Sequence, residues 1–174
     1  MFVVAVGLLI VGGVAASVVA TPVEYDAMPA TVVFVCRNGV SMSVWSAAYF
    51  NRLAARRGLP ERATSRSALP PSAGVPMRMR VALAIDGFRR DGYQPRIIES
   101  EDARRAEYLI VIEAGTTLPT DVQVSGHTTT EQWQGFPAMR EEYFASRAEL
   151  RRRVEALVER LMVARSGAPS THPL

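Results

Sequence analysis

The hydrophobic and polar positions of the chain fall into two kinds of pattern that alternate along its length. Continuous apolar, mostly β-branched runs occur at Thr31–Cys36 and Tyr108–Ile112. Runs without polar alternation predict parallel strands buried on both faces, because alternation arises only where one face meets water. Ala63–Ala68 and Val122–Val124 are shorter strand candidates. Between them lie helical patterns. From about Ser43 to Arg57, Met42, Trp45, Ser46, Tyr49 and Leu53 share one face while Val44, Ala47, Phe50 and Ala54 occupy others, so this helix is expected to be mostly buried. Arg56, Arg57, Gly58 and Pro60 supply its stop signals. Met77–Gly87 follows Pro76 and places Met77, Val81, Ala84, Ile85 and Phe88 on an expected core face. Ser100, as an N-cap, with Glu101 and Asp102 behind it opens one short helix. Glu141–Val163 is the longest helical pattern, with Leu150, Val154, Leu157 and Leu161 facing inward and Glu149 paired with Arg153 one turn on. Arg151–Arg153 read as solvated surface.

Turn residues separate these segments. Leu69–Pro76 is a proline-rich rigid loop, and Asp91-Gly92-Tyr93 is a turn. Strands alternating with helices, without an internal repeat, imply one parallel α/β sheet with right-handed crossovers. Such sheets bind ligands beyond the carboxyl ends of their strands, and Cys36 stands at that end of the first strong strand.

The two ends of the chain differ from this core. Residues 1–20 carry no charged side chain and end in Val18-Val19-Ala20, a small-residue ending that suits cleavage of an export signal. An uncleaved membrane anchor is the competing reading. Neither has a Lys or Arg ahead of the apolar run, and a working start at Met28 is a third. The corresponding locations are periplasmic or secreted, membrane-associated through residues 1–20, or cytoplasmic. Residues 21–30 read as a linker, 31–164 as the folded domain and 165–174 as a disordered tail.

Composition narrows the function classes. The 174 residues suffice for one domain with a proper core, and the net charge of +3 is too small and scattered to argue for nucleic acid. A single cysteine excludes an internal disulfide, and His127 and His172 stand alone, so no metal or cofactor is expected.

The chemistry centres on Cys36. A cysteine ending an apolar strand is commonly just a small buried hydrophobe. Here, however, a short polar loop and a helix start follow it. Strand, tight loop and helix together aim backbone N–H groups at one spot and form an anion nest, where a thiol ionises readily. Asn38 and Gly39 suit the left-handed backbone such a nest needs, although an ordinary turn would use them equally well.

Thr31–Ser43 also resembles the active-site loop of the low-molecular-weight protein tyrosine phosphatases and the arsenate reductases that share their fold. That family carries Cys, five residues, Arg, Ser after its first strand; here Cys36 and Ser43 match and Met42 stands at the arginine position. The resemblance implies a three-layer, flavodoxin-like α/β sandwich on a central four-stranded parallel sheet. It implies Cys36 as thiolate nucleophile, Ser43 as donor to its sulfur, and the amides of Arg37, Asn38, Gly39, Val40, Ser41 and Met42 as the oxyanion-binding loop. The expected ligand is phosphate, arsenate or a phosphorylated substrate. Arsenate reduction would need an external thiol, since the chain has no second cysteine.

Two parts of the family pattern are missing. Methionine has no donor to replace the arginine fork that grips phosphate. The family's acid, an aspartate ahead of the last helix, aligns with Gly135 in Trp133–Pro137, and Glu131, Glu141 and Glu142 do not fit its motif. The expectation is therefore a phosphatase-like hydrolase or arsenate reductase with a degenerate site, weak or inactive. The alternative is an exported, non-enzymatic interaction module.

Overall fold

The computed structural model describes residues 30–71, 74–88, 93–113, 115–136 and 143–167. The expected export or anchor segment and linker up to residue 29, Ser72 and Ala73 of the proline-rich loop, Asp91 and Gly92 of the expected turn, Pro137, Glu141, Glu142 and the tail beyond Gly167 lie outside the described residues.

Eight elements follow in chain order: β1 (Val32–Cys36), α1 (Met42–Arg57), β2 (Ala63–Ser67), α2 (Met77–Ile85), α3 (Ser100–Arg105), β3 (Tyr108–Ile112), β4 (Thr129–Trp133) and α4 (Tyr143–Gly167). The four strands form one parallel sheet in the order β2-β1-β3-β4. After β1 the chain steps out to β2, then returns to β3 on the other side of β1. The switch point of the topology therefore lies between β1 and β3, where open α/β sheets place ligands.

The pleat sends successive side chains of β1 to opposite faces. Val32, Phe34 and Cys36 join the larger core, which holds Trp45 and Phe50 of α1, Met79 and Leu83 of α2, and Leu150, Val154, Leu157 and Leu161 of α4. Val33 and Val35 join a smaller core with Ile98, Ala103, Ala106 and Leu109. The result is the expected three-layer α/β arrangement, with α1, α2 and α4 over one face of the sheet and α3 over the other.

Four expectations change. The fourth strand is Thr129–Trp133 rather than Val122–Val124. β4 lies at the sheet edge and buries only Trp133 fully, so its residues lack the apolar signature of β1 and β3. Val122 instead packs beside the smaller core from a loop. In α2 the buried side chains are Met79 and Leu83, while Met77, Val81 and Ile85 are exposed. Its sequence is apolar on more than one face, so periodicity alone did not select the face that meets the sheet. Finally, α3 is capped by Glu99, not Ser100: the Glu99 carboxylate accepts the Asp102 N–H and the Asp102 carboxylate accepts the Glu99 N–H at 3.1 Å. Within the arginine run, Arg151 and Arg152 are exposed as expected, but Arg153 is half-buried and its guanidinium lies over the Phe136 ring.

Polar bridges join the layers where apolar contact alone would leave register free. Asp86, just past α2, has a buried carboxylate that accepts the Trp45 indole N–H at 2.7 Å and pairs with Arg147 of α4 at 2.5 Å. Its carbonyl accepts Arg52 Nη1 at 2.8 Å. On the opposite face, Arg66 of β2 grips Asp102 through Nε at 2.9 Å and Nη2 at 2.8 Å.

Two stability tests follow from these bridges. Asp86→Ala would strand the buried ends of Trp45 and Arg147, so urea unfolding should show a loss of about 3–5 kcal/mol. Glu149, hydrogen-bonded by Arg152 and Arg153, has its carboxyl held down at about 2 from an ordinary 4.5. Its contribution is therefore complete above the ordinary value and disappears as pH falls through about 2. The stability difference between wild type and Glu149→Gln should be constant at neutral pH, under about 1 kcal/mol for a surface cluster, and vanish across that acid window.

Candidate active-site loop

β1 delivers Cys36 to the carboxyl edge of the sheet, and the loop 37–41 carries the chain from there into the first residue of α1, Met42. Backbone hydrogen bonds to the segment after β2 shape this loop. The Ala68 N–H donates to the Cys36 carbonyl and the Leu69 N–H to the Arg37 carbonyl, each at 3.0 Å. Gly39 takes the left-handed φ of +62°. A Cβ there would lie 3.0 Å from Ser67 Cβ and 3.1 Å from Ser67 N, so both conformation and space demand glycine. Asn38 does not share that conformation: among the described residues Gly39 is the loop's one left-handed position. The Ser41 carbonyl accepts the Trp45 N–H at 2.9 Å and starts α1, but the Ser41 side chain makes no cap bond.

Behind the loop runs a chain of side-chain hydroxyls. Cys36 Sγ lies 3.0 Å from Ser43 Oγ. Ser65 Oγ, on the central residue of β2, donates to Ser43 Oγ at 2.9 Å. The Tyr93 hydroxyl lies 3.1 Å from Ser65 Oγ and 3.1 Å from the Gly39 carbonyl. Cys36, Ser43 and Ser65 are all buried. Each hydroxyl carries one proton. When Ser65 donates to Ser43, the Ser43 proton is left for the sulfur. The Tyr93 proton then serves Ser65 or the Gly39 carbonyl, so the same network that reaches the sulfur also braces the middle of the loop.

The remaining positions expected in the site separate. The Arg37 and Asn38 side chains are exposed, and Val40 and Ser41 are half-buried. Met42 is only 1% exposed and belongs to the larger core, so its side chain fills the interior beneath the loop as well as lacking a donor. Gly135, past β4, is exposed with φ +79° and open space around its Cβ direction. An acid there would have to hold a left-handed backbone. Glu131 is committed elsewhere: its carboxylate accepts the Trp133 indole N–H at 2.9 Å and pairs with Arg160.

Three residues that sequence reasoning did not single out lie at the loop: Ser65, Tyr93 and Glu113. Glu113 directly follows β3, near enough to Arg37 for that residue's backbone and charge to act on its carboxyl. Burial pushes this carboxyl above the usual carboxylate range, and the bond from Arg37 and its positive charge only partly oppose that. No local motif marks any of the three. Ser65 sits in a polar strand candidate, Tyr93 in a turn, and Glu113 at the end of an apolar run. Only the tertiary fold brings Ser65 and Tyr93 to the hydroxyl chain behind Cys36.

No protein-family model matches the sequence, and no curated protein matches it. Solved structures do. A thioredoxin-dependent arsenate reductase from Corynebacterium glutamicum aligns over 78% of this chain with 18% identity and a TM-score of 0.59. The chain spans 62% of that protein's length. An arsenate reductase from Archaeoglobus fulgidus aligns over 74% of this chain and 98% of its own, with 25% identity and a TM-score of 0.55. A low-molecular-weight phosphotyrosine phosphatase from Vibrio cholerae aligns over 75% of this chain and 95% of its own, with 14% identity and a TM-score of 0.61. With its parallel β2-β1-β3-β4 sheet and its cysteine at the carboxyl end of β1, the chain has the fold seen in these arsenate reductases and this low-molecular-weight phosphotyrosine phosphatase.

Proposed function

We propose that Cys36 is a thiolate nucleophile toward a small oxyanion or phosphate monoester received by the backbone amides of residues 37–43, and that turnover is slow. The observation that carries this reading is the buried hydroxyl chain ending 3.0 Å from the sulfur. A merely structural cysteine in an apolar core gains nothing from a donor backed by a second donor, whereas a nucleophile needs its negative charge held. Gly39, tight against Ser67, and the carbonyl anchors from Ala68 and Leu69 hold the loop in one shape before any ligand arrives, as charge-stabilising donors require.

Two features set the rate low. Met42 leaves the transferring group without a bidentate cation, and loss of one such donor typically costs about 10²–10³ in rate. Its burial also means that a guanidinium would have to leave the core to reach the loop. For arsenate, attack by Cys36 produces an adduct that a second thiol must resolve. The sequence contains no other cysteine, so an external thiol would serve. The similar Corynebacterium enzyme is named for its dependence on thioredoxin, which is compatible with such a partner.

Labelling of Cys36 by iodoacetamide, followed by mass spectrometry on the full chain, tests the reading. Millimolar phosphate or arsenate should slow the labelling several-fold and chloride should not. Ser43→Ala should abolish that protection while leaving the fold intact. Unchanged labelling at saturating oxyanion would overturn the catalytic reading and favour the interaction module. Tyr93→Phe removes the hydroxyl between Gly39 and Ser65. It should cost about 1 kcal/mol in stability and weaken oxyanion protection without eliminating labelling of Cys36.

A further inference from the structure

We propose that the outer face of α2 docks on an anionic lipid bilayer, with Met77, Val81 and Ile85 entering the headgroup region and Arg78 and Arg80 meeting lipid phosphates.

The first observation is where exposed apolar surface lies. Seven large hydrophobic residues are exposed among the described residues, and three of them, Met77 at 64%, Val81 at 51% and Ile85 at 78%, belong to the nine residues of α2. They recur every four residues, so at 3.6 residues per turn they line one stripe about 80° wide. The other side of the helix is committed: Met79 and Leu83 are buried in the larger core. The end of the helix is pinned as well, where the Asp86 carboxylate holds Trp45 and Arg147. The stripe is therefore the outside of a fixed element and not a core face left open by loose packing.

The second observation is charge. On the same helical projection Arg80 and Arg78 fall one at each margin of the stripe. Both are exposed, and among the described residues neither pairs with a carboxylate. Arg80 Nη2 lies 3.4 Å from Met77 Sδ, so this arginine lies beside the stripe. No acidic residue occurs in α2 itself. Apolar side chains with a cation on each side suit a lipid surface, where the apolar groups sink below the headgroups and the arginines reach the phosphates. A second copy of the chain fits less well. A two-fold contact through this stripe would bring the same arginines together. A helix face about 14 Å long and 10 Å wide also falls far short of the ~800 Å² per partner of a stable protein interface.

The third observation is the tether. Residues 1–20 are uncharged and mostly apolar, and residues 21–29 join them to Ala30. Nine residues span at most about 30 Å. In the anchor reading of residues 1–20, that link keeps the domain close to a bilayer, and two weak attachments combine where one alone is marginal. Among the described residues no helix is long and apolar enough to cross a membrane, so the contact through α2 is with the membrane surface.

Hydrogen exchange of the full chain, read by mass spectrometry, tests the docking with vesicles of phosphatidylcholine alone or mixed with phosphatidylglycerol. The mixed vesicles should slow exchange in Met77–Ile85 severalfold, while α3, on the other face of the sheet, exchanges as in the free protein. Phosphatidylcholine alone should protect α2 less, and about 1 M salt, where charges are screened beyond ~3 Å, should reduce the protection by mixed vesicles. The triple variant Met77→Gln, Val81→Gln, Ile85→Gln should lose the protection. The double variant Arg78→Gln, Arg80→Gln should lose the preference for phosphatidylglycerol. Neither should lower the unfolding temperature, since all five side chains are exposed. Vesicle binding with unchanged exchange in α2 would overturn the proposal and leave residues 1–20 as the attachment. Absence of binding would overturn it too, as would slowing of α2 exchange with protein concentration in the absence of vesicles, the mark of a second copy.

Discussion

The double-sided burial of β1 is the constraint on which the rest of the structure depends. A strand covered on both faces and paired on both edges has no freedom of register, since a slip of one residue would exchange its two cores. Phe34 and Cys36 must face the larger core, and Val33 and Val35 the smaller one. The chain can then leave the sheet only at its carboxyl edge. There the pairing with β2 continues past the strand through the carbonyls of Cys36 and Arg37. The loop shape is thus an extension of sheet geometry, and Gly39 is the point where the loop closes against Ser67.

The same constraint explains why polar groups cluster beneath so apolar a framework. β2 is wholly buried although its sequence is Ala-Thr-Ser-Arg-Ser. Each of its central polar side chains has a partner: Ser65 with Ser43, and Arg66 with Thr64 and Asp102. Buried hydroxyls are costly when unpaired. The Cys36–Ser43–Ser65–Tyr93 chain therefore stabilises the layer and orients donors toward sulfur at once. The Met42 side chain serves only the first of these roles: it supports packing under the loop and offers no donor to an anion. In the proposed reading the site has a nucleophile and a backbone cradle, with no long cationic side chain at position 42 to act on a ligand.

Much of this was legible in the residues. The apolar runs of β1 and β3, the all-round burial of α1 and the inward face of α4 follow from local pattern, because burial on two faces and helix periodicity leave direct marks in composition; the contact of Cys36 with Ser43 was implied by the family resemblance alone. The edge strand β4 left no such mark. All its side chains but Trp133 are exposed or half-buried, and its pairing with β3 is made by backbone groups that every sequence possesses. The rotation of α2 was equally hidden, since the choice between two apolar faces is made by the surface it meets.

By itself, then, the sequence determined the parallel α/β class, the two central strands and the place of the single thiol, all consequences of where apolar side chains can avoid water. Tertiary structure alone decided which distant polar groups surround that thiol. Ser65 arrives through strand pairing and Tyr93 through its hydroxyl, which meets both Ser65 and the Gly39 carbonyl. These meetings depend on register across the sheet, a property of paired backbones, and no side-chain pattern along one segment encodes it.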